Sequence, residues 1–135
     1  MAGTLIPNSD ITIYNKYIEN RAEKYQRSEI VDVVWQSTKA VSQMRTQTAT
    51  NKALILIPFA QGTDYQQPKA WQSDRVGWTL QEGDFVVRGI VTDEITSLYT
   101  VDSLHTEHDD VFIIASVDAM DEGSPAVQHW ELNCK

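Results

Sequence analysis

The sequence predicts a mainly-β protein: a small β-barrel or curled sheet of about six strands, with long loops and one short helix. Three observations predict it. Short runs that alternate with period two or are rich in β-branched residues recur along the chain, bounded by Gly, Pro, Asn or Asp. The last third, from Gly83-Asp84 onward, holds three such runs at residues 85–91, 111–117 and 127–132, and with them most of the apolar residues available for a core. A single stretch carries a helix-start signature. At 135 residues, 41% apolar and 22% charged, the chain has the size and composition of one globular domain, residues 1–135. Closing the sheet hides its edges, which favours a barrel.

In chain order, residues 1–9 read as an N-terminal arm, broken by Pro7, Asn8 and Ser9. Ile11-Thr12-Ile13-Tyr14 alternates as a short strand. Residues 15–28 are polar, and the thin stripe of Tyr17, Ile18 and Tyr25 predicts a connection with little regular structure. The next strand, residues 29–35, places Val31, Val33 and Trp35 on the core face, with Ile30, Asp32 and Val34 opposite. Residues 36–51 are rich in Ser, Thr and Gln, and their only apolar residues are Ala40, Val41, Met44 and Ala49. So long a connection is either a hairpin projecting from the body or a surface loop.

Residues 53–59 are apolar on both faces, which predicts cover on both, and Pro58 marks the end of that strand or an edge position. A second long loop, residues 60–82, carries Tyr65, Trp71 and Trp78 among polar residues. Aromatics so placed either fold back to cap a barrel mouth or serve as contact anchors. Arg88 interrupts the apolar run 85–91, so it points outward or meets an acid. Thr92-Asp93-Glu94, followed by Ile95, Leu98, Tyr99 and Leu104, predicts the N-capped short helix. Residues 111–117 read as a central strand. In the last strand Trp130, Leu132 and Cys134 share one face and His129, Glu131 and Asn133 the other, which makes Cys134 a buried small hydrophobe.

The net charge of −8 disfavours ordinary binding to nucleic acid. Its distribution is uneven. Between Asp32 and Asp64 there are Lys39, Arg45 and Lys52 but no acid; from Gly89 to Cys134 there is no Lys or Arg, while acids run from Asp93 to Glu131. One basic loop set against an acidic body suits head-to-tail association of copies or steering of a complementary partner. The N-terminus lacks the pattern of a secretory signal, and no run approaches the ~20 apolar residues of a membrane span, so no membrane partner is expected. The single cysteine forms no internal disulfide.

Catalytic patterns are missing. His105, His108, Asp109 and Asp110 are metal-ligand types, but they read as a polar helix end and turn. His129 has no serine or cysteine at motif spacing. Asp118, Asp121 and Glu122 crowd one exposed turn, and there is no Gly-rich phosphate loop. The expectation is a non-enzymatic protein without metal or cofactor.

Four pieces together carry a family resemblance: Asp10-Ile11-Thr12-Ile13-Tyr14-Asn15-Lys16-Tyr17; Pro68-Lys69-Ala70-Trp71; residues 77–89, from Gly77-Trp78-Thr79-Leu80 to Arg88-Gly89; and the tail from Ile114-Ala115-Ser116-Val117-Asp118 through Gly123-Ser124 to His129-Trp130-Glu131-Leu132. The chain resembles a small, functionally uncharacterised family encoded in the structural gene cluster of tailed phages and prophages of Gram-positive bacteria. Its order of elements is also similar to the head-tail joining, or stopper, proteins. That resemblance implies a homo-oligomeric ring between portal or adaptor proteins and tail or tail-terminator proteins, at the head-tail neck of a virion assembled in the host cytoplasm. It implies further that a long loop lies in the channel through which packaged DNA passes. Residues 36–51 occupy the corresponding place, so Lys39, Met44, Arg45 and Lys52 are the candidate channel residues. Tyr65, Trp71, Trp78, Arg88, His129 and Glu131 are the candidate interface residues. The alternatives are a tail terminator or minor capsid protein of the same cluster and, from another class, a small ligand-binding β-barrel using Trp71 and Trp78.

Overall fold

In the computed structural model, residues 6–37 and 52–135 are described. They form six strands: β1 (Ser9–Glu19), β2 (Ala22–Ser37), β3 (Ala53–Pro58), β4 (Phe85–Arg88), β5 (Val111–Met120) and β6 (His129–Cys134). All neighbours are antiparallel, in the order β1-β2-β3-β6-β5-β4. Pairing of β4 back onto β1, Ile11↔Arg88 through Tyr14↔Phe85, closes the curled sheet into a barrel. Register shifts between Ser9 and Ile11 and between Ile114 and Ser116 bend the strands at two places, as closure of so small a sheet requires.

The barrel is filled by alternate side chains of every strand. Ile11, Ile13, Ile30, Val33, Trp35, Ile55, Ile57, Val86, Ile114 and Leu132 are buried together there. A smaller cluster lies on the outer face, where Tyr14, Val87, Val91 and Leu104 pack with Tyr25, Phe85 and Ile95. Cys134 is buried, and burial pushes its thiol up to about 12, as expected of an inert core cysteine.

The strands differ from the sequence reading in three respects. Residues 15–28 are strand apart from a two-residue turn: β1 and β2 form one long hairpin, paired from Ile11↔Ile30 to Glu19↔Ala22. The two turn residues, Asn20 and Arg21, have φ of 54° and 65°, the geometry of the tight turn that matches strand twist. In β2 the phase slips. Asp32 adopts φ 58°, its N–H donates to Asp10 Oδ1 at 3.1 Å, and pairing jumps from Ile11↔Ile30 to Ser9↔Val33. The bulge turns Ile30 inward and leaves Val31 46% exposed, so Val31 is not on the core face with Val33 and Trp35. In β3 only alternate residues are buried; Leu54 and Leu56 stay partly exposed, so its outer face lacks the expected cover among the described residues.

The helices differ too. The described residues hold two α-helices, α1 (Pro68–Asp74) and α2 (Val101–Glu107). α1 lies in the second long loop, where no helix was expected; Pro68 occupies its first turn, a position that suits a residue without an N–H. α2 begins at Thr100 rather than Thr92. Thr100 Oγ1 accepts from the Ser103 N–H, and Ser103 Oγ accepts in return from the Thr100 N–H. Ahead of it, Thr96 Oγ1 accepts from the Leu98 and Tyr99 N–H groups, which holds that segment in a turn and leaves Leu98 94% exposed.

Candidate interaction surface

The second long loop closes one mouth of the barrel. Trp78 meets Trp130 edge-on at 5.9 Å, Tyr65 stacks against Trp130 at 4.5 Å, and Phe59 closes the group at 4.6 Å from Trp130. Trp71 of α1 is fully buried; its Nε1–H donates to the Gly77 carbonyl, and its ring packs edge-on against Tyr17 at 6.1 Å. Gly77 has φ +73°, and a Cβ there would strike the Asp64 carbonyl, so only glycine passes between loop and helix. Trp71 and Trp78 are therefore core residues, the capping alternative of the sequence reading, and are too buried to serve as exposed interface residues; Tyr65 is half-buried in the same plug. The interior they cap is filled with the side chains of the barrel core.

Beneath the plug lies a buried polar network. Asn15 Nδ2 donates to the Thr79 carbonyl at 2.8 Å and to Asp84 Oδ2 at 2.9 Å, while Asn15 Oδ1 accepts from the Thr79 N–H. Asp84 also accepts from Gln81 Nε2 and from the Lys16 N–H. Burial pushes the Asp84 carboxyl up, and these three donors pull it back toward the charged form. The network joins the loop, β1 and the start of β4.

The β1–β2 hairpin continues past the barrel as an arm. β1 pairs with β4 only at Ile11–Tyr14, and β2 pairs with β3 only at Val34–Ser37, so residues 15–29 have no strand on either outer side. The side chains along the arm neutralise one another: Lys24 Nζ meets Glu19 Oε1 at 2.9 Å, Arg27 meets Glu29 at 2.7 Å, and Arg75 of the loop reaches Glu19 at 3.6 Å. The Lys24 contact holds Glu19 below its ordinary range.

The two edges of the arm are finished differently. Lys16 turns its N–H to Asp84, and its carbonyl accepts from Gln72 and Gln81, so side chains satisfy the β1 edge. Since Lys16 faces away from β2, the bonded pairs within the hairpin are Ile13↔Ser28, Asn15↔Gln26 and Tyr17↔Lys24. Alternation then points the backbone groups of Glu23, Tyr25, Arg27 and Glu29 outward. Among the described residues no backbone or side-chain group bonds to them. This unpaired edge is a template for another strand.

The remaining sequence candidates lie apart from it. Arg88 is exposed, as expected, with Nε 3.4 Å from Ser9 Oγ and its guanidinium 5.5 Å from the centre of the Trp35 ring. His129 and Glu131 pair on the outer face of β6, Nε2 to Oε2 at 3.2 Å, while His129 Nδ1 meets the Val127 carbonyl at 2.7 Å. Asp118 sits directly across from Glu131. Lys52 is exposed just before β3; Lys39, Met44 and Arg45 lie outside the described residues. The edge residues of β2 escaped the sequence reading. Their one signal is Asn20, a residue that tolerates φ > 0, midway through a stretch whose apolar stripe is thin.

Fold and surface define a class: a small antiparallel β-barrel, plugged by aromatics at one mouth, whose outward features are an unpaired strand edge and segregated charge. The chain belongs to DUF6751, a family of unknown function, whose family model matches residues 6–135. No curated protein and no solved structure matches it.

Proposed function

We propose that this chain is a structural virion protein of a tailed phage: a head-tail connector, or stopper, subunit that assembles with its own copies into a ring between portal complex and tail. The observation that carries the reading is the β2 edge at Glu23–Glu29, a run of backbone groups with no partner among the described residues that a neighbouring subunit can pair. Charge supports it. Six of the nine described cations, Lys16, Arg21, Lys24, Arg27, Lys69 and Arg75, belong to the arm and to the loop that follows β3, four of them paired with glutamates of the arm, whereas no Lys or Arg stands between Gly89 and Cys134. A subunit with cations at one place and uncompensated acids at another favours head-to-tail contacts, and an acidic wall lets DNA slide without sticking.

The test is native mass spectrometry of the protein alone and mixed with the portal and tail proteins of the same gene cluster. A ring in either setting is expected. A monomer that ignores both partners and binds a small molecule overturns the reading. A tail terminator or minor capsid role is the second reading, since the same edge serves any ring; binding to tail protein but not to portal selects the terminator.

A further inference from the structure

We propose that Asp93, Glu107 and His108 bind a divalent transition-metal ion, of the zinc or manganese kind, that ties the end of α2 to the segment following β4. One ligand atom from each of the three lies within 4.8 Å of the others. Ligand atoms around one such ion stand about 3–4 Å apart, given metal–ligand bonds of about 2.0–2.2 Å. Asp93 and Glu107 are exposed, so their carboxylates are free to rotate toward such an ion.

Two features set this group apart from an ordinary patch of surface acids. The first is His108. Its Nε2 is sealed from solvent and has no hydrogen-bond partner, an unsatisfied state that a buried ring nitrogen normally avoids. The second is the absence of a compensating cation. No ion pair reaches Asp93 or Glu107 among the described residues, and the chain has no Lys or Arg from Gly89 to Cys134. Beside the carboxylates instead is the Tyr99 hydroxyl, which donates to Glu107 Oε1 at 3.2 Å.

The donor set selects the ion. One imidazole nitrogen with two carboxylates suits zinc or manganese, whereas calcium prefers oxygen alone. Of the histidine and aspartate residues adjacent in sequence, only His108 takes part: His105 turns its ring edge-on to Phe85 at 5.9 Å, and Asp109 and Asp110 lie outside the group. The ion would act structurally. Tyr14 of β1 already donates to the Asp93 carbonyl at 2.6 Å, so fixing Asp93 to α2 clamps the outer cluster of Tyr14, Val87, Val91 and Leu104 against the barrel. This site stands independently of the ring reading.

The test takes the full chain, stripped with EDTA, and titrates zinc chloride or manganese chloride by calorimetry alongside thermal melting. The expected result is one ion per chain, a dissociation constant below about 10 µM, and a melting temperature that rises with ion concentration. His108→Ala and, separately, Glu107→Gln are expected to weaken binding at least about tenfold, while His105→Ala and His129→Ala leave it unchanged. Glu107 is exposed, so its variant folds even where the histidine variant does not. Absence of stoichiometric binding of both ions up to about 1 mM, or undiminished binding by folded Glu107→Gln, overturns the proposal.

Discussion

Two polar stretches, residues 15–28 and 60–82, read alike as connections, and the fold puts them to opposite uses. The second, with its tryptophans, folds inward: Trp71 and Trp78 are buried, and the loop becomes the plug of the barrel. The first, with tyrosines and alternating charges, folds outward as an arm whose β2 edge has no partner strand among the described residues. The difference lies in what each stretch can bury. A tryptophan brings enough apolar surface to draw its own backbone over the core, where Asn15 and Asp84 receive the polar groups it carries along. The arm has only scattered apolar side chains, Ile18 among them at 65% exposed, so it gains regularity from its ladder instead of from burial.

The largest expected effect breaks the plug. Trp71→Ala removes a fully buried ring that holds α1 to the arm, and a loss of about 3–5 kcal/mol is expected in urea unfolding. An anchor residue in a subunit interface would behave otherwise, keeping the isolated chain stable while assembly failed. Unchanged stability in Trp71→Ala would therefore return the loop to the surface and undo the contrast.

A smaller effect is expected at the joint between plug and arm. Asp84→Asn replaces one carboxylate oxygen with an amide that only donates, so either Asn15 and Gln81 together or the Lys16 N–H lose their acceptor. A loss of about 1–3 kcal/mol is expected. The pH dependence has a definite sign. Burial raises the folded-state pKa of this acid above its unfolded value, so the folded chain binds more protons between the two, and stability falls as pH rises through that window. The advantage of the natural chain over Asp84→Asn is thus greatest below the ordinary carboxylate range and shrinks above it. Denaturation at several pH values that shows the advantage growing with pH would mean that the three donors outweigh burial.

Much of the barrel was legible because its strands obey period two. Each of the six runs chosen from alternation and β-branching contains a strand, although β4 stops at Arg88 short of Val91 and β6 begins at His129 after a 3-10 turn at Val127; Pro58 ends β3, and Cys134 is buried. The misses have local physical causes. The slip in β2 depends on Asp32 adopting a left-handed backbone, which a period-two pattern cannot anticipate. Helix α2 starts at Thr100 because a reciprocal cap forms there with Ser103; Thr92 offered acids in the right place but no such partner. The arm was missed because hairpin pairing needs no apolar face when the two strands satisfy each other. The group proposed to bind a metal was hidden in another way: His108 and Glu107 are adjacent in sequence, but Asp93 joins them only through the fold.

The smallest expected effect on stability is at the arm's open edge, and there the informative measurement is amide exchange. In the free chain Lys24, Gln26 and Ser28 donate across the hairpin, so their amides are expected to exchange slowly. Those of Glu23, Tyr25, Arg27 and Glu29 face outward and are expected to exchange at nearly the rate of an unfolded chain. Assembly should reverse the second set alone: if a neighbouring copy adds a strand, these four amides become protected while the first three hardly change. Protection of all seven in the free chain would show that the edge is already covered, and the contrast between a sealed mouth and an open arm would then fail at its outer end.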